Sequence, residues 1–245
     1  MRQPWFNCGS SRRLWVATFT LLAALVITTT PSAEVAPATR EASAVDSGPA
    51  LHQYRAFRRM HARSEKFNHE AWMEVWTELD GRSFRYEIVS ERGSDTIRNR
   101  VLKALLEREK ELIASGEPAR SELTPENYEF AAETSGPGCR YILIKPKRKD
   151  VLLVDGRMVL SEDGDDLLRV EGVLAKSPSF WTSLVNVIRH YARVDGVRVP
   201  IATESVAKVK FAGRSKLQVE YEYESINGRP VSLQARRTVA ANYSR

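Results

Sequence analysis

The sequence is poor in the residues on which common chemistry depends. It has two cysteines and four histidines in 245 residues. His52, His61, His69 and His190 never fall at H-x-x-x-H or H-E-x-x-H spacing, so a helical zinc motif is excluded. No G-x-S-x-G elbow occurs, which disfavours an α/β-hydrolase. No Gly-rich phosphate loop is found. Asp163, Gly164, Asp165 and Asp166 hold fragments of a calcium loop. The full D-x-[DN]-x-[DN]-G…E pattern is missing, and a polar hairpin tip is the better reading. Cys139 follows "SGPG" and reads as a small residue at a strand start. A Cys139–His190 nucleophile would need the fold to bring the two together. No catalytic residue, metal or cofactor is therefore expected. A hydrolase would have to assemble Ser, His or carboxylate groups that converge only in space.

What is present begins with a leader. Arg12 and Arg13 precede an apolar run over 14–27, and small residues and prolines follow. That layout predicts a secretory signal peptide over 1–38. A bilayer span takes ~20 apolar residues, more than this run supplies. Ala36-Pro37-Ala38 fits an A-x-A cleavage site, and cutting after Ala33 is the other choice. Ser11-Arg12-Arg13-Leu14-Trp15 faintly resembles a twin-arginine signal, although a two-Arg n-region is ordinary. The expected place is a periplasm or the outside of the cell. Only Cys139 lies beyond the leader, so an intramolecular disulfide is not expected. Residues 39–50 are rich in Ala, Pro, Ser and Thr and read as a disordered linker.

Without residues 1–38 the balance is 34 Lys+Arg to 30 Asp+Glu. That mild excess does not point to nucleic acid, which wants basic residues gathered on one face. The one dense basic run, Lys145-Pro146-Lys147-Arg148-Lys149, reads as a solvated loop.

The next signal is period. Leu51, Tyr54 and Phe57 predict a short helix over 51–59, and 60–67 reads as a strand that pairs with the hairpin that follows. Residues 72–79 alternate and predict a strand, turned at Asp80-Gly81 into a second strand over 82–91. Residues 95–114 have helical period through Ile97, Val101, Leu105 and Leu112. Glu107, Glu109, Lys110 and Glu111 read as that helix's solvated face. Strands are expected over 128–133, 140–145 and 167–174, and a hairpin turned at Asp155-Gly156 over 151–160. In "SPSFW" Ser177 reads as an N-cap and Pro178 as the first residue of a helix from Phe180. Strands over 198–201, 204–212 and 216–224 close the domain at 228, and 229–245 read as a flexible tail. The fold class expected is α+β: a single curved antiparallel sheet (half-barrel) with helices packed on its concave face.

Three stretches carry a resemblance. They are "YILIKPKRKDVLLVDGRMVLSEDGDDLLRVEG" (141–172), "GVRVPIATESVAKVKFAGRSKLQVEYEYES" (196–225) and the segment between them. Over 51–228 the order of elements resembles the LolA-like half-barrel superfamily of periplasmic lipoprotein-sorting carriers. The resemblance implies an open bent sheet, an apolar groove that shelters acyl chains, and no chemical step. Members also serve as sensors and assembly proteins of the envelope. The aromatic-rich faces supply the groove candidates: Trp72, Trp76, Phe180, Trp181, Leu184, Ile188, Tyr221 and Tyr223. The expected partner is a lipid or lipid-modified protein, met by a monomer with only peripheral membrane contact. An envelope protein partner, bound by the same fold with a filled interior, is the alternative.

Overall fold

The computed structural model describes residues 48–232 and residue 235, except 137, 181, 211 and 212. These lie in one compact unit, Ser32–Arg245. The expected signal peptide, most of the linker and most of the tail fall outside the described residues.

Alternation of side chains decides the architecture. The strands are β1 (Gln53–Ser64), β2 (His69–Asp80), β3 (Ser83–Gly93), β4 (Tyr128–Gly136), β5 (Cys139–Pro146), β6 (Val154–Ser161), β7 (Leu167–Leu174), β8 (Thr182–Val194), β9 (Val197–Val209), β10 (Gly213–Ile226) and β11 (Arg229–Pro230). They form one sheet in the order β3-β2-β1-β10-β9-β8-β7-β6-β5-β4, with β11 paired to β10. The pairings are antiparallel. β3 and β4 do not meet, so the sheet is open. Arg229 and Pro230 pair with Ile226 and Ser225, and Val231 is buried, so the start of the segment read as a tail belongs to the sheet.

One helix of more than one turn occurs among the described residues. This helix, α1, runs through Asp95–Ile97, a π-helical Arg98–Lys103 and Ala104–Ala114. It buries Leu102 and Leu106 against β1, β2 and β3. Among the described residues no helix is long and apolar enough to cross a membrane.

The α+β expectation with several helices is therefore corrected to a mostly antiparallel sheet with a single helix. Residues 51–59 belong largely to β1, and the helix expected from Phe180 is strand β8. The reasons are local. In β1 the buried positions are Tyr54, Ala56, Arg58, Met60 and Ala62, which is period two with an arginine in the middle. Read as polar, Arg58 breaks the alternation and lets helical spacing look better. In β8 the β-branched Thr182, Val185, Val187 and Ile188 favour a pleated strand over a helix. Ser177–Phe180 make the turn that leads into it, with Thr182 N–H donating to Ser179 O at 3.1 Å. Asp155 and Gly156 are not a turn either but lie inside β6.

Register puts one row of side chains across eight strands. It runs Met73, Met60, Val219, Thr203, Arg189, Val170, Met158, Ile142. This face carries α1. Its apolar residues form two clusters. One gathers Met60, Met73, Val75, Phe84, Leu102, Leu106 and Val219 under α1. The other gathers Tyr128, Phe130, Ile142, Ile144, Leu153, Met158 and Val170 toward β4.

Candidate functional site

The eight groove candidates do not come together. Trp72 and Trp76 lie on the face away from α1, because they alternate with buried Met73 and Val75. Their rings are covered by Arg and His side chains. His61 stacks on Trp72 at 4.7 Å and 6°, and Arg92 lies over the same ring at 4.7 Å. Arg55 lies over Trp76 at 4.4 Å while Glu78 and Glu224 hold its guanidinium at 3.1 and 2.6 Å. Such contacts stabilise an exposed sheet face by ~0.5–1 kcal/mol each. That explains why tryptophans and glutamates share one face. Leu184 and Ile188 are on the same far face, opposite Lys208 and Glu204. Phe180 is 78 % exposed in the turn before β8, under Lys210 at 4.0 Å. Trp181 lies outside the described residues. Only Tyr221 and Tyr223 reach the helix face.

That face holds a polar band that the sequence reading missed. At its centre is Arg58, 2 % exposed. Its Nη1 and Nη2 donate to the two carboxylate oxygens of Glu109 on α1, at 2.6 and 2.9 Å. Nη2 also donates to the Tyr54 hydroxyl at 2.6 Å. Tyr221 and Phe84 place their rings 4.8 and 5.3 Å from the guanidinium. Burial works against the Arg58 cation, but Tyr54, Tyr221 and Glu109 outweigh it and hold the proton more firmly than usual. Burial likewise pushes the Tyr223 phenol well up, and that phenol donates to Pro200 O at 2.8 Å. Glu109 is thus not a plain solvated residue. It is the counterion that lets an arginine occupy a core position.

Beyond Tyr221 the band continues to Arg189, an exposed residue of β8. Arg189 and Tyr191 line a pocket with Tyr128, Ser121, Leu123, Leu152, Val154, Val170 and Val187. The pocket holds about 20 Å³. That is little more than one water, which needs ~10–15 Å³ by the same kind of measure.

The basic run over 145–149 fixes one wall of this pocket. Arg148 donates to Asn127 Oδ1 at 2.7 Å and to Arg120 O at 2.9 Å. Asp150 is buried and accepts from Arg120 Nη2 at 2.5 Å and from Leu152 N–H at 3.1 Å. The run is a clamp on the segment that carries Ser121 and Leu123, not only a solvated loop. Burial tends to raise the Asp150 carboxyl, but Leu152 N–H, Arg120 and Arg148 outweigh it and hold it below the usual value. A carboxyl lowered on folding stabilises above its unfolded value near pH 4, and the effect is lost as pH falls through the folded value. Asp150→Asn is therefore expected to cost about 2 kcal/mol at pH 7 and to lower Tm by roughly 4–8 °C. The gap from wild type should shrink at pH 3. Thermal unfolding at both pH values checks this, and a gap that widens on acidification would be the wrong sign.

The other chemical candidates are dispersed. Cys139 donates to the Tyr141 hydroxyl at 2.9 Å on β5, whereas His190 is on β8 beside Glu204 at 3.7 Å. The two strands are three ladder steps apart, about 14 Å at ~4.8 Å each. Asp163 accepts from the Ser161 hydroxyl and Asp165 N–H at the β6–β7 turn, and Asp166 pairs with Arg193 at 2.6 Å. Among the described residues no group of three His, Cys, Asp or Glu side chains is placed to hold a metal ion.

Comparison with known proteins adds little to this geometry. No family model matches the chain, and no curated protein matches it. Two solved structures are similar to it. One is a DUF1329 family protein from Desulfovibrio piger, at 11 % identity, over 77 % of this chain and 91 % of that one, with a TM-score of 0.41. The other is MucB in complex with MucA(peri), at 9 % identity, over 84 % of this chain and 97 % of that one, with a TM-score of 0.19. At these TM-scores neither likeness establishes a shared fold.

Proposed function

We propose that this chain is an exported, non-enzymatic binding protein of the cell envelope, and that it engages a protein partner through a sheet whose interior is filled. The leader expected over 1–38 supports the envelope. The observation that carries the choice of partner is the helix face. Leu102 and Leu106 are fully buried on it, and the Arg189 pocket holds about 20 Å³. Small-molecule sites usually enclose ~300–1,000 Å³, so an acyl chain has no comparable space in that pocket. The second reading, a carrier of a lipid or lipoprotein acyl chain, has in its favour the pocket's apolar lining of Leu123, Leu152, Val154, Val170 and Val187.

Photo-crosslinking from the sheet in the native envelope, with lipid extraction of the purified full chain, separates the two. One trapped protein and lipid-free material are expected. Stoichiometric co-purified lipid without a trapped protein would overturn the first reading and establish the second.

A further inference from the structure

Strand β3 ends the sheet on one side, and no strand lies beyond it among the described residues. Register divides its backbone groups. The two-residue turn at Gly81 and Arg82 closes on the hydrogen-bonded pair Asp80–Ser83, and Glu78–Arg85 and Trp76–Glu87 follow at alternate positions. At the far end Glu70 O accepts Ser94 N–H at 2.9 Å, so the same alternate residues of β2 bond toward β3 there. Arg85 and Glu87 therefore spend their backbone groups on β2. Phe84, Tyr86 and Ile88 turn theirs outward. Such an edge is a template for another strand, and proteins blunt it with proline, lysine or a bulge. β3 has no proline and no lysine, and its bulge at Val89 leaves 83–88 regular.

The side chains of this edge complement themselves. Residues 84–88 read Phe-Arg-Tyr-Glu-Ile. A second β3, laid antiparallel with Tyr86 opposite Tyr86, sets Arg85 of each copy opposite Glu87 of the other. Phe84 then stands opposite Ile88. The outward-turned residues form the hydrogen-bonded pairs of this register. Arg85 and Glu87 form the non-bonded pairs, where side chains approach most closely and opposite charges stabilise. Glu87 is exposed and makes no ion pair among the described residues. Arg85 is 71 % exposed and meets Glu78 at 3.2 Å. Helix α1 lies on the other face, where Tyr86 donates to Glu107. The opposite edge, β4, has only glutamates as charged residues, so pairing with itself would gain no opposite charge.

We propose that β3 is a homodimer interface, at which two copies of this chain join edge to edge about Tyr86 and the sheet continues from one copy into the other. This dimer takes the place of the monomer expected from the resemblance. It goes beyond the protein-partner reading, which concerns a different molecule. The interface is isologous and uses each β3 edge once, so assembly closes at two copies.

Sedimentation equilibrium of the purified full chain tests this. Monomer and dimer are expected to exchange in the micromolar range. Arg85→Glu and Glu87→Arg each set like charges against each other at both pairings. Each alone should weaken the dimer at least about tenfold, a difference of ~1.4 kcal/mol. An equimolar mixture of the two variants brings opposite signs together again and should regain the dimer. The double variant Arg85→Glu/Glu87→Arg should regain it by itself. Both side chains are exposed, so Tm should hold, and damage to folding would not be repaired by mixing. A wild type that stays monomeric, a mixture that stays monomeric, or species larger than a dimer would overturn the proposal. So would single variants that dimerise as well as the wild type. A foreign protein crosslinked to a monomeric chain would overturn the dimer and leave the protein-partner reading standing. A dimer with no foreign protein trapped would do the reverse.

Discussion

Glu109→Gln is expected to destabilise the protein by about 3 kcal/mol, lowering Tm by roughly 6–12 °C. The size follows from asymmetry of burial. Arg58 is 2 % exposed in its side chain and Glu109 is 32 % exposed. Removing the carboxylate leaves a buried guanidinium with only neutral acceptors, the Gln amide oxygen and Tyr54, and turns one of its two former acceptors into an N–H donor. Its Nε already lacks a hydrogen-bond partner. Breaking a fully buried pair costs ~3–5 kcal/mol, and the partial exposure of Glu109 puts this pair at the low end. The reverse change should be milder. Arg58→Met replaces the cation by an apolar chain among Tyr54, Phe84 and Tyr221, and Glu109 can turn to water. Its cost should be about 1 kcal/mol, and the double variant should resemble Arg58→Met alone. Denaturant titration of the three variants checks the order. A larger loss for Arg58→Met than for Glu109→Gln would mean that Arg58 is not stabilised chiefly by its counterion.

This pair also shows where the sequence was readable. Strands β2, β3 and β7 have clean alternation or a regular apolar run, and their positions are evident from pattern alone. The Asp80-Gly81 turn is legible because Gly81 has φ +57°, a conformation that favours glycine. Helix α1 is legible from its apolar stripe. β1 is not, because a buried arginine occupies a core position and its partner is 51 residues away on α1. No local pattern encodes that pairing. The period-two reading of Tyr54, Ala56, Met60 and Ala62 was available only to a reader willing to place Arg58 inside. Arg189 on β8 breaks the alternation in the same way, although it is exposed. Both residues depart from binary patterning on the helix face, and they define the polar band. The aromatic count, by contrast, pointed to tryptophans that stack under Arg and His on the far face. Composition records how many rings exist, not which side of a sheet they occupy.

Gly156→Ala is expected to cost about 3 kcal/mol, the upper end of ordinary overpacking. Gly156 and Gly172 face each other across β6 and β7, in a row that runs Phe130, Ile144, Gly156, Gly172, Val187. A Cβ on Gly156 would lie 2.1 Å from Glu171 O and 2.6 Å from Gly172 Cα. A Cβ on Gly172 would lie 2.3 Å from Asp155 O and 2.7 Å from Gly156 Cα. These obstacles are backbone atoms, so no side-chain rotation relieves them and the two strands must part. Asp155-Gly156 looks like a turn in the sequence because glycine there suggests positive φ. The glycine is required for close backbone approach instead. One parting of the strands serves both sites, so Gly156→Ala/Gly172→Ala should fall short of additivity by about 1 kcal/mol or more. Gly138→Ala is the control. Gly138 has φ +68° and nothing within 4 Å of an added Cβ, so it should cost only the ~1–2 kcal/mol of a left-handed backbone. Parting β6 from β7 also moves Val154 away from Val170, both of which line the Arg189 pocket. Equal unfolding free energies for the two single variants would mean that β6 and β7 do not need this approach.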